Sequence, residues 1–133
     1  MSVTAYKRTI SHTEEPRQIE RRILASVTSR LEVACEAFDS QQEKPERLRI
    51  LADGLREILW ENQRIWLTFK ADLAEAENGL SAELRAALIS LSLWVETHTK
   101  GVLAGSRNVQ PLIDINRNII DGLGGRSIRV AAE

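Results

Sequence analysis

The chain has 133 residues, 43% hydrophobic and 28% charged, with a formal net charge of −1. That length suits one helical domain, residues 1–133 with a core over about 13–124, and is short for two. Mixed charge of both signs argues against the basic excess that non-specific phosphate binding requires. A single cysteine, Cys35, cannot form an intramolecular disulfide, which fits a reducing compartment. No apolar segment approaches membrane-spanning length, and Lys7 and Arg8 have no apolar run behind them to make a signal or anchor. A soluble cytoplasmic protein is expected.

Residues Ser2 to His12 carry few apolar side chains and read as a flexible or docked arm, with Tyr6 and Ile10 as its points of attachment. Thr13 can cap a first helix, with Glu14 and Glu15 near its positive end and Pro16 in the first turn. Its stripe is Ile23, Val27, Leu31, Ala34 and Phe38, flanked by Leu24 and Cys35, and it ends near Phe38 to Ser40. Pro45 opens a second, longer helix running to about Glu75. Its stripe is Leu48, Leu51, Leu55, Leu59, Trp66, Phe69 and Leu73, with Asn62 in the middle. Trp60 and Leu67, seven apart, share a different face with Arg56 and Gln63. Gly54 costs this helix about 1 kcal/mol relative to Ala. Asn78–Gly79 gives the stop.

Ser81 can cap a third helix ending around Gly101, with Leu84, Leu88, Leu91, Val95 and His98 on one face. Ile89 and Leu93 project to the opposite side, with Ser90, Ser92 and Glu96 separating the two. A helix apolar on two sides is central in a bundle or keeps one side for a partner. Val102 to Asn108 reads as a loop or frayed extension. A fourth helix starts near Pro111 with Leu112, Ile115, Ile119, Ile120 and Leu123, and Asn116 at its apolar centre. The tail from Arg126 reads as short and disordered. The fold class expected is all-α: a compact bundle of four main helices, antiparallel where the links are short.

Catalytic chemistry is poorly provided for. Ser90, Ser92, His98 and Asp114 lack a strained turn to present a nucleophile or a glycine-rich stretch for an oxyanion. No His or Cys pair has metal-ligand spacing, so no catalytic residue, metal or cofactor is assigned. More informative are Asn62, Asn116 and His98, polar where burial is expected. Burial without a partner costs about 1–3 kcal/mol per group, so they should bond one another or carbonyls at neighbouring helix ends. Trp60 lies off the main stripe and is either covered by the arm or another helix, or an exposed binding anchor. Trp66 and Trp94 are expected in the core.

Several strings occur together in order. They are Tyr6; Pro16-Arg17-Gln18-x-Glu20; Trp60-x-Asn62-x-x-Ile65-Trp66; Ser90-Leu91-Ser92-Leu93-Trp94-Val95-x-x-His98-Thr99; and Leu112-Ile113-x-Ile115-Asn116-x-x-Ile119-x-x-Gly122-Leu123. With these the chain resembles the FlaF family of flagellar biosynthesis regulators from alphaproteobacteria, over about Tyr6 to Leu123. The resemblance implies a small cytoplasmic, non-enzymatic protein that acts on flagellin, alongside the regulator FlbT. It implies control of flagellin synthesis and delivery of flagellin for secretion and filament assembly. Flagellin has amphipathic terminal helices, and a groove between the second and third helices can take one, anchored by Trp60, Leu67, Ile89 and Leu93 with Gln63 and Arg56 as rim. The motif residues Asn62, Trp66, Trp94, His98 and Asn116 are expected to hold the fold. Two other readings stand beside this one, an adaptor working mainly on FlbT and direct binding of flagellin messenger, the latter disfavoured by the mixed charge.

Overall fold

A computed structural model describes residues 15–75 and 79–123, apart from the side chains of residues 15–19, 73 and 123. The arm, the Thr13 cap, Asn78 and the tail lie outside the described residues. Four rods make the bundle, the second of them broken. Helix α1 is Glu15–Asp39. The second rod comprises α2 (Lys44–Ile50), a π-type turn (Leu51–Leu55) and α3 (Arg56–Ala74). Helix α4 is Ala82–Leu103 and α5 is Gln110–Leu123.

Helix ends follow local chemistry. Pro45 sits in the first turn of α2, and the Ser81 hydroxyl accepts from the Leu84 N–H at 3.1 Å. Helix α4 runs two residues past Gly101, with Val102 fully buried, and ends in a Schellman turn. There the Gly105 and Ser106 N–H groups donate to the Val102 and Gly101 carbonyls, both at 2.9 Å, with Gly105 at φ +78°.

Helix α1 packs on α5 and on α3, α3 packs on α4, and α4 meets α5 more lightly. The pairings Thr28–Asn116 and Asp39–Val109 make α1 and α5 antiparallel. Val27, Leu31 and Phe38 meet Leu51, Leu59, Trp66, Leu88, Val95 and Leu112 in one core. Ion pairs Arg30–Glu61, Glu32–Arg117 and Lys70–Glu96 lie across the seams, where exposure limits each to about 1 kcal/mol or less.

Several expectations are corrected. Ile23 is half exposed, and Thr28 is buried in the α1 stripe; its hydroxyl donates to the Leu24 carbonyl at 2.6 Å and so needs no water. Ser92 is likewise buried, donating to the Leu88 carbonyl at 2.9 Å, and does not separate two faces. The second rod is not continuous: Gly54 adopts φ +138° and ψ −27°, a backbone region that L-residues rarely enter. Ahead of this break Leu48 turns outward and Arg47 turns in.

Buried Arg47 joins three chain segments. It lies 4.8 Å from the Phe38 ring centroid. Nε donates to the Gln41 carbonyl at 2.8 Å, Nη1 to the Gly105 carbonyl at 3.3 Å, and Nη2 to Asn108 Oδ1 at 2.6 Å and the Asp39 carbonyl at 3.4 Å. Beside it the Asp39 carboxylate accepts from the Val109 and Gln110 N–H groups at 2.7 and 2.9 Å. A negative group from the end of α1 thus caps the positive end of α5.

Two substitutions test these features by urea unfolding. In a straight helix Gly54→Ala would stabilise by about 1 kcal/mol; here an added Cβ meets nothing within 4 Å, so only backbone strain acts, and a loss of about 1–3 kcal/mol is expected. Arg47→Met keeps the stem but strips the carbonyls of their donor, and should cost about 2–4 kcal/mol.

Candidate partner-binding surface

The surface is set by what lies behind it. Asn116 of α5 reaches the bundle centre and is fully buried. Its Nδ2 donates to Asn62 Oδ1 at 2.8 Å and to Thr28 Oγ1 at 3.0 Å, and its Oδ1 accepts from Trp66 Nε1 at 2.9 Å. One side chain therefore ties α1, α3 and α5. Asn62 and Trp66 are both buried, which fixes the rotation of α3 about its axis. Among the described residues, Asn62 Nδ2 and Gln63 Oε1 are buried without a hydrogen-bond partner.

With Asn62 inward, Trp60 must point out, because two residues turn a helix by about 200°. Trp60 is 58% exposed, and Leu67, two turns further on, is 42% exposed. On α4 Leu93 is 50% exposed, while Ile89 is half-buried against the core. Lys70 and Glu96 pair at 3.6 Å across the α3–α4 seam. Leu67 lies three residues before Lys70 and Leu93 three before Glu96, so in antiparallel helices the two leucines flank the bridge on either side. Gln63 is half-buried and Arg56 exposed on the α3 side. Trp60, Leu67, Ile89 and Leu93 thus border one seam.

Trp94 corrects the expectation of a core residue: it is 41% exposed. It follows Leu93 by about 100° on α4, toward the lightly packed α5 side, where no helix covers it fully. The His98 ring stacks on it at 4.7 Å and 17°. His98 is half-buried rather than central, and its Nε2 lies 2.8 Å from the Asn108 carbonyl. A carbonyl only accepts, so Nε2 carries the proton. Asn108 also receives Arg47, so this second aromatic site rests on the charged corner. The signal for it in the sequence is Leu91-Ser92-Leu93-Trp94-Val95, whose apolar residues span too wide an arc for one buried face.

Reactive groups are held quiet. Burial and the neighbouring Asp39 carboxylate push the Cys35 thiol up from 9.0 to about 12, so it is a poor nucleophile at neutral pH. Among the described residues no three His, Cys, Asp or Glu side chains form a group able to hold a metal, and no helix is long and apolar enough to cross a membrane.

Fold and surface together define a small helical bundle with exposed aromatic and leucine side chains on a rigidly oriented helix pair. Residues 2–123 match the model of the family described as flagellar protein FlaF, and the chain belongs to that family. No curated protein and no solved structure matches it.

The central network has an additivity signature. Asn116→Ala orphans Trp66 Nε1 and should cost about 2–4 kcal/mol. Asn62→Ala added to it should cost less than its own single effect, with a coupling of about 0.5–3 kcal/mol in a double-mutant cycle read by urea unfolding.

Proposed function

We propose that this chain is a cytoplasmic flagellin-binding regulator and secretion chaperone, controlling flagellin synthesis and filament assembly through protein contacts rather than catalysis. The observation that carries the reading is the outward Trp60–Leu67–Leu93 set on the α3–α4 seam of a chain in a flagellar family. Large apolar side chains fixed outward lose little freedom on binding, and aromatic anchors of this kind supply most of an interface's energy. An amphipathic terminal helix of flagellin would lay its apolar face along the seam, with Trp60, Leu67, Ile89 and Leu93 as anchors and Gln63 and Arg56 at the rim. A formal charge of −1 supports recognition by burial of apolar surface and disfavours direct binding of messenger RNA.

Calorimetric titration with flagellin, then with FlbT, at two salt concentrations tests the reading. Saturable, weakly salt-dependent binding to flagellin with a negative heat-capacity change is expected. Trp60→Ala and Leu93→Ala should each weaken it roughly 10- to 100-fold, and Val33→Ala, on the far surface of α1, should leave it unchanged. Binding to FlbT alone would make the chain an adaptor. Affinity that collapses with salt would point to RNA.

A further inference from the structure

A second feature lies on the other flank of α4, away from the seam proposed for flagellin. Steps of four and three residues from Glu83 lead through Ala87, Ser90, Trp94 and Thr97 to Gly101. That alternation keeps one edge of a helix turned toward a neighbouring helix. None of the six is buried, and Trp94 is the one large apolar side chain among them. His98 stacks on its ring and holds it in place. At the far end Arg107 lies back over the strip, because a Cβ on Gly101 would collide with Arg107 Cγ. The strip therefore has an acid at one end, a base at the other and no charge between. The other charged residues of α4, Arg85, Glu96 and Lys100, point at least about 100° away from it. Among the described residues neither Glu83 nor Arg107 takes part in an ion pair.

We propose that this strip is the contact of a two-fold symmetric dimer, with α4 of one copy antiparallel to α4 of the other. The argument is self-complementarity. The spacing reads the same in both directions about the level of Ser92, so a reversed second copy meets the strip position by position. Glu83 then stands at the level of Gly101 of the second copy, where Arg107 lies. Trp94 faces the small Ser90 of the second copy, and Ala87 faces Thr97. A two-fold interface uses every such pairing twice, so both ends carry an ion pair and both tryptophans find room. The parallel arrangement would set Glu83 against Glu83 and Trp94 against Trp94, which charge and bulk both oppose. A contact through a single helix pair gives a concentration-dependent dimer and not an obligate one. It leaves Trp60 and Leu67 on α3 uncovered, so the dimer does not rest on the flagellin reading.

Sedimentation equilibrium of the full chain at low salt, over a concentration series, tests the proposal. A monomer–dimer equilibrium is expected. Glu83→Arg and Arg107→Glu should each weaken it roughly 10-fold or more, since each replaces two attractions by two repulsions. An equal mixture of these two variants should associate as well as the native chain. One copy then carries two cations and the other two anions, so both ion pairs form again. A variant that was merely unstable would not recover on mixing. Trp94→Ala should abolish the dimer, and Trp60→Ala should leave it unchanged. A native chain that stays monomeric at every concentration would overturn the proposal. So would association that ignores the charge reversals, or reversals that mixing does not rescue, since either places the contact elsewhere.

Discussion

The outward face of α3 depends on one buried amide. An apolar stripe fixes the rotation of a helix only loosely, because neighbouring hydrophobic residues can exchange places at small cost. Hydrogen bonds are directional, and a buried one left unmade costs about 1–3 kcal/mol. Asn116 makes three, to α1 and to two positions of α3, so a turn of α3 by even one residue would break at least two. The network therefore contributes orientation more than net stability. Its outward expression is that Trp60 and Leu67 have no inward alternative.

A second polar device holds the other end. Arg47 presents its charge to carbonyls of the α1–α2 link and of the α4–α5 link, and Asp39 caps α5 from seventy residues away. Neither group needs an opposite charge in direct contact, since helix ends supply partial charges of the right sign. Both links are thereby drawn against the end of α1. The stack of Trp94 on His98, anchored through Asn108, is positioned by the same corner. Exposed aromatic residues on both flanks of α4 are consequently backed by polar contacts rather than by loose packing.

What could be read from the sequence divides along physical lines. Pro45 and Ser81 act on their immediate neighbours, and the starts of α2 and α4 followed from them, whereas α4 runs past the expected stop at Gly101 to turn at Gly105. That Asn62, Asn116 and His98 find partners among one another or on a carbonyl followed from the cost of burying a polar group alone; which bonds which did not. Ser92 misled, and Thr28 and Thr99 gave no sign of burial, because a hydroxyl can satisfy itself on the carbonyl one turn back and then behave as an apolar residue. The break at Gly54 was hidden because glycine in a helical pattern signals cost without saying whether the helix bends. Arg47 was hidden for a different reason: its partners are main-chain carbonyls, which every residue carries. For Trp94 the residue type suggested burial, but the light α4–α5 packing that exposes it is a tertiary property. That Trp60 and Leu67 share a face apart from Asn62 was legible from helix geometry alone, whereas the sequence left open whether anything covers that face.

The pairing of the first described helix with the last has a consequence for how the molecule is made. Thr28 and Asn116 are 88 residues apart, and the cap of α5 is held by a residue of α1. On a ribosome adding about 5–20 residues per second, the partners of α1 in α5 arrive roughly 4–18 s after α1 itself. Until then α1 can pack on α3 and, at its end, on Arg47 of α2, and the amide that fixes the rotation of α3 is missing. The outward set of Trp60 and Leu67 is thus acquired late, once α5 has left the ribosome. A nascent chain would hold the helices of the seam before it holds the seam itself.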